Sequence, residues 1–156
     1  MITVDIPGRG RLEIAYLLLD LNGTLATDGR VPEEIRARVR ELAASLDVRL
    51  LTADTFGTAR ELETLGIRVQ VLEGGDQVEA KAQVVRECGP SRTAAIGNGM
   101  NDEGMLSEAA LGIAVIGREG AAGRAVLAAD VIVNSATDAL DLLRYPKRLV
   151  ATLRTA

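Results

Sequence analysis

Asp20 ends a solid apolar run, "LLLD", and so stands where a buried strand would deliver a carboxylate to a sheet edge. Three other stretches carry residues of matching chemistry. Thr52-Ala53-Asp54-Thr55 closes a second apolar run, and Gly97-Asn98-Gly99-Met100-Asn101-Asp102 follows a later one. Between them, Lys81 lies in the first turns of a helical stretch. Each has a plain reading on its own. Asn22-Gly23 between apolar residues is a hairpin signal. Thr52 or Thr55 could cap a helix beginning near Phe56. Asn98-Gly99 could be a turn with Asn101 as helix cap, and Lys81 could be a solvated lysine, as most are. Taken together they fit phosphoryl transfer. A carboxylate attacks phosphorus to form an acyl phosphate, a hydroxyl and a lysine stabilise the charge in transit, and oxygen ligands hold Mg²⁺.

Composition narrows the alternatives. The 156 residues suit one domain, and at 47% hydrophobic the chain can bury a full core. Aromatics are only 2%, too few for stacking platforms, so single-stranded nucleic acid is a poor partner. A net charge of -4 argues against general phosphate-backbone binding. There is no histidine and one cysteine, Cys88, which excludes a histidine base, a His/Cys zinc site and an internal disulfide. No stretch approaches the length of a membrane span and Met1–Gly8 lacks a signal-peptide pattern, so a cytoplasmic protein with no membrane partner is expected.

The elements that must position these residues alternate. Two β-like runs flank Pro7-Gly8-Arg9-Gly10, an N-terminal β-hairpin signal, and the second runs on into "AYLLLD". Thereafter strands are expected at "VRLLTA", "IRVQVL", "TAAIGN", "LGIAVI" and "DVIVN". Helices are expected from Pro32, over Phe56–Leu65, over Gln77–Cys88, over Asn101–Ala109, near Ala121–Ala128, and from about Asp138 and Lys147. Short apolar strands separated by helices imply an α/β fold: a Rossmann-like parallel sheet in three layers, with ligands beyond the carboxyl ends of the strands.

In the right order, from about Tyr16 to Asn134, the motifs resemble those of the haloacid dehalogenase (HAD) superfamily, and most closely the phosphorylation domain of P-type ATPases as a soluble version. "DLNGTL" resembles the phosphorylation motif, "TADT" the second motif, Lys81 in "EAK" the third, and "AIGNGMNDEGMLSEAALGIAV" the fourth. The resemblance implies a sheet of order 3-2-1-4-5 in a single HAD-like domain over residues 1–156. It implies Asp20 as nucleophile, with Asn22, Thr52 and Lys81 in catalytic positions. It implies phosphate binding by Thr52, Ala53, Lys81 and Asn101. Mg²⁺ would be held by the Asp20 carboxylate, the Asn22 carbonyl and the Asn98 side chain, with Asp102 nearby. Gly29 leads almost directly into the Pro32 helix, so the cap is minimal, as in relatives whose site is covered by a large substrate or a second subunit. Either a large substrate or a homo-oligomer is therefore expected to cover the site, with the N-terminal hairpin and "YPKRLVATLR" as candidate contacts; the latter reads first as a helix packed on its own sheet, with subunit contact as the alternative.

Two positions depart from the pattern. Asn22 stands where the phosphatase branch has an aspartate that protonates the leaving group and activates water, and an amide does neither. Asn98 stands where a metal-binding aspartate is usual, and it offers a carbonyl without charge. Slow turnover and weakly held Mg²⁺ are expected, acting on a phosphorylated substrate. The alternative is a non-catalytic protein of this fold that binds a phospho-ligand or assembles. Both asparagines precede glycine, so deamidation could restore the acids.

Overall fold

The run from Gly10 to Asp20 divides at Ala15. Gly10–Ile14 alternates exposed and buried side chains, whereas Tyr16–Asp20 is buried almost throughout. The first half forms β2 (Gly10–Ile14), paired antiparallel with β1 (Ile2–Ile6) in a two-stranded hairpin. The second half forms β3 (Tyr16–Asp20) of a different sheet. Ala15 marks the crossing: its N–H donates to the Arg92 carbonyl and its carbonyl accepts from the Asp47 N–H, both at 2.9 Å. One expected strand is thus two, separated where half-buried alternation gives way to burial on both faces. The computed structural model describes residues 1–53 and 57–156.

After β3 come α1 (Glu33–Ala43), β4 (Asp47–Thr52), α2 (Thr58–Leu62), β5 (Arg68–Val71), α3 (Gln77–Cys88) and β6 (Thr93–Gly97). The chain finishes with α4 (Glu103–Glu108), β7 (Leu111–Val115), α5 (Gly123–Ala128), β8 (Val131–Val133), α6 (Ala136–Arg144) and α7 (Lys147–Leu153). The parallel sheet has the order β5-β4-β3-β6-β7-β8. Counted from β3 this is the expected 3-2-1-4-5, extended by β8. The helix expected over Phe56–Leu65 is α2 followed by a 3₁₀ turn, Glu63–Leu65, closed by Gly66 at φ 82. Asp54, Thr55 and Phe56 lie outside the described residues.

Helices cover both faces of the sheet. Leu17 and Leu19 of β3 pack in a core with Ile35 and Val39 of α1, Leu140 and Leu143 of α6, and the hairpin residues Ile6 and Ile14. Leu18 points the other way, into a second core with Val84 and Val85 of α3, Met105 of α4 and Ala125 of α5. This alternation sets the site, because Asp20 is in phase with Leu18 and so faces α3. The C-terminal segment packs on the chain's own hairpin: Leu149 is buried and the Thr155 N–H donates to the Pro7 carbonyl at 2.9 Å. No helix among the described residues is long and apolar enough to cross a membrane.

Candidate active site

Asp20, Lys81 and Asp102 meet at the carboxyl edge of the sheet. Asp20 is 7% exposed, Lys81 1% and Asp102 0%. The Lys81 ammonium donates to Asp20 Oδ1 at 2.9 Å and to Asp102 Oδ1 at 2.8 Å. Lys81 reaches them because it shares the buried stripe of α3 with Val84, Val85 and Cys88, at helical spacing. The solvated reading of Lys81 is thereby excluded, and that stripe was a signal available in the sequence. Asp76 caps α3, accepting from the N–H groups of Val78 and Glu79.

Asp102 closes a 3₁₀ turn, Met100–Asp102, ahead of α4. Its Oδ2 accepts the N–H groups of Asn98 and Gly99, each at 2.9 Å, so the loop after β6 folds around this carboxylate. A Cβ at Gly97 would lie 2.5 Å from Asp102 Cγ, which leaves glycine as the residue that fits.

The segment after Asp20 forms no hairpin continuation of β3. The Leu21 carbonyl accepts the N–H groups of Thr24, Leu25 and Ala26, and the Gly23 N–H donates to the Ala26 carbonyl. This tight coil turns Thr24 back over the Asp20 carboxylate. The Thr24 hydroxyl lies 3.1 Å from Asp20 Oδ2 and 3.1 Å from Asn98 Oδ1. Thr24 was not singled out in the sequence, although it stands four residues after Asp20 within "DLNGTL". Its contact with Asn98 joins residues 74 apart, which no local pattern reveals.

The remaining expected residues divide. Thr52 is buried at the end of β4, one residue beyond Leu51, the register partner of Asp20. Ala53, Asn22 and Asn101 are exposed at the edge of the site. Among the described residues, the side chains of Asn22 and Asn101 make no hydrogen bond.

One cation serving two buried carboxylates sets the electrostatics. Burial, reinforced by Asp102, pushes the Asp20 carboxyl up to about 6, against the pull of Lys81 and the Thr24 hydroxyl. For Lys81, burial disfavours the charge, but Asp20 and Asp102 outweigh it and hold the ammonium above its ordinary value.

The donors also bear on Mg²⁺. Asp20 Oδ2 and Asn98 Oδ1 both lie against the Thr24 hydroxyl, and the Asn22 carbonyl accepts no backbone hydrogen bond among the described residues. Three oxygens carrying one formal charge fit a hard cation that keeps several waters. Asp102, expected near the metal, has both oxygens engaged by Lys81 and the loop N–H groups. Among the described residues no group of three or more acidic or thiol side chains forms a ready metal cluster.

Deamidation is opposed at both sites. The attacking nitrogens are already engaged as N–H donors, Gly23 to Ala26 and Gly99 to Asp102.

No family model matches the sequence. Uncharacterized protein MJ0073 of Methanocaldococcus jannaschii is 55% identical over 60 residues, 38% of this chain and 64% of that protein. This chain thus spans just under two thirds of that relative. Uncharacterized protein MJ0072 of the same organism is 46% identical over 39 residues, 25% of this chain and 89% of that protein, so the two are relatives. Solved structures place the fold. The 3-deoxy-D-manno-octulosonate 8-phosphate phosphatase of Moraxella catarrhalis, in complex with magnesium, phosphate and KDO, superposes with a TM-score of 0.70. The match covers 90% of this chain and 94% of that one at 17% identity. The cobalt-bound deoxy-D-mannose-octulosonate 8-phosphate phosphatase of Haemophilus influenzae gives 0.70 over 92% and 94% at 19% identity. This chain has the haloacid dehalogenase fold. In this chain the coil after β3 and the loop after β6 meet at the end of the central strand, through Thr24 and Asn98, where Asp20 stands.

Proposed function

We propose that the protein is a slow, Mg²⁺-dependent phosphohydrolase that works through a phosphoaspartate on Asp20. The observation that carries the reading is Lys81, buried between Asp20 and Asp102 at the end of the central strand. A lysine is removed from water there only because two carboxylates compensate it, and the arrangement leaves Asp20 aimed at the sheet edge. An Asp20 carboxylate oxygen attacks phosphorus and the bond to the leaving oxygen breaks, giving an acyl phosphate and an alkoxide that takes a proton from water. Water then attacks the acyl phosphate, releasing phosphate and restoring the carboxylate. Lys81 and the Thr52 hydroxyl, with Ala53 and Asn101 beside them, bind the phosphoryl oxygens. Mg²⁺, held by Asp20, the Asn22 carbonyl and Asn98, supplies charge neutralisation when bound. Asn22 provides no proton in either half-reaction, which makes turnover slow.

Residues 1–156 act as one unit with a minimal cap, in the cytoplasm, on a phosphorylated substrate, with a second copy covering the site. The metal-bound phosphatase neighbours and the resemblance to the P-type ATPase phosphorylation domain support this reading. A second reading, a non-catalytic phospho-ligand binder, is favoured by one observation, the amide at position 22 in an otherwise assembled site.

Hydrolysis of an aryl phosphate with Mg²⁺ separates the two. Wild-type activity lost in Asp20→Asn and on EDTA treatment supports the enzyme. A silent wild type that binds beryllofluoride supports the binder. Activity that survives Asp20→Asn removes the nucleophile assignment.

A further inference from the structure

Asn98 is engaged on every polar group. Its Nδ2 donates to the Gly120 carbonyl at 3.1 Å, and its Oδ1 lies 3.1 Å from the Thr24 hydroxyl. Its own N–H donates to Asp102 Oδ2, and its carbonyl accepts the Ala122 N–H at 2.8 Å. Two of these four contacts, through Gly120 and Ala122, fasten the segment 116–122 that follows β7. The other two fasten the loop after β6 and the coil after Asp20.

The side chain thus faces a carbonyl on one side and a hydroxyl on the other. The Gly120 carbonyl requires a donor, which fixes the amide's orientation and turns Oδ1 to the Thr24 hydroxyl, whose single proton serves either Asn98 Oδ1 or Asp20 Oδ2. An aspartate has the same shape but would set an acceptor against the Gly120 carbonyl. Gly23 is fitted to the same contact: at φ 78, an added Cβ would lie 2.4 Å from Asn98 Nδ2. The segment places Gly117 and Arg118 on the lining of a cleft of about 760 Å³ that Thr24 and Arg30 also line, its first two residues being held as well by the Ile116 and Gly117 N–H groups on the Val133 and Asn134 carbonyls.

We infer that Asn98 is a latch: its amide ties the segment 116–122, and with it one wall of this cleft, to the coil that carries the nucleophile. The identity of residue 98 is then set by the latch, and an aspartate there does not restore a fuller metal site at no loss. The inference stands on hydrogen-bond geometry and does not require the phosphohydrolase reading.

Amide hydrogen exchange on the full chain tests it, with Mn²⁺ titration by calorimetry as a parallel readout. Asn98→Asp should speed exchange at residues 117–122 by about tenfold or more, the equivalent of one lost hydrogen bond, without a matching change elsewhere. Gly23→Ala should speed the same amides from the opposite side of the contact. Asn22→Asp, the same charge change in the same dipeptide, should leave them as in wild type. If Asn98→Asp does not fold, Asn98→Ser, which cannot reach both partners, carries the test with the same expected result. Exchange at 117–122 unchanged in the folded position-98 variant overturns the latch, whether Mn²⁺ binds more tightly or not. A wild type that hydrolyses nothing would count against the phosphohydrolase alone, because the exchange pattern does not depend on activity.

Discussion

The floor of the site and its rim are built on opposite principles. On the floor, Asp20, Thr24, Lys81, Asn98 and Asp102 hold one another through hydrogen bonds between 2.8 and 3.1 Å. On the rim, Asn22 and Asn101 are exposed and their side chains bond to nothing among the described residues. Two Asn-Gly pairs thus have opposite standing. Asn98 is a structural member, and Asn22 is an exposed side chain on the coil after Asp20. The difference teaches where chemistry and stability can be changed separately: a floor substitution alters both together, a rim substitution alters chemistry alone.

The largest effect is expected on the floor. Lys81→Met leaves two buried carboxylates without their cation and should lower the unfolding free energy by about 3–5 kcal/mol. Urea denaturation at pH 7.5 reads this as a lower midpoint with an unchanged slope. A loss under about 1 kcal/mol, the range of exposed pairs, would break the comparison. On the rim, Asn22→Asp would supply the acid and base that the proposed mechanism lacks. Initial rates with an aryl phosphate should rise about 10²–10⁴-fold, while the urea midpoint moves by no more than about 0.5 kcal/mol in energy. An equal rate with a lowered midpoint would place Asn22 on the floor.

A smaller effect sharpens the electrostatics of the floor. The Asp20 carboxyl, raised to about 6, holds its proton in the folded state where the unfolded chain has released it near 3.8. Its contribution to stability is fully present below about 3.8 and is lost as pH rises through about 6. On the proposed mechanism the group that ionises over this limb is the nucleophile. Metal-free stability, followed by thermal melts, should therefore fall with pH where activity climbs, and Asp20→Asn should flatten that fall. The smallest effect is chemical ageing: peptide mapping of stored protein should show any deamidation at Asn22 and none at Asn98, whose amide and following N–H are both engaged.

Much of this was open to reading in the chain itself. Apolar runs ending in Asp20, Thr52 and Gly97 announced a parallel sheet with its chemistry at one edge, because strands buried on both faces leave no polar alternation. The helix over Gln77–Cys88 was legible to its last residue, since an Asp cap and Gly89-Pro90 bound it. The division at Ala15 was not, because a hairpin strand and a core strand follow each other without a turn residue between them. Nor were the Thr24 hydroxyl and the Gly23–Asn98 approach, which exist only once two loops from distant parts of the chain are set side by side. The same holds for the meaning of Asn98. From composition it is a missing charge, whereas in the fold its nitrogen matters as much as its oxygen.

The Asp20–Lys81 pair joins residues 61 apart, and Thr24 meets Asn98 across 74. During synthesis Asp20 therefore leaves the ribosome before its partners. A nascent chain ending ahead of Lys81 lacks both the lysine and the Asp102 carboxylate that bury Asp20 in the folded protein. Only when β6 docks beside β3 and the residue 102 carboxylate arrives is the lysine drawn in, as contacts of such long sequence separation form late. The cluster of Asp20, Lys81 and Asp102 is thus assembled by completion of the fold, and a chain that stops before Asp102 lacks it.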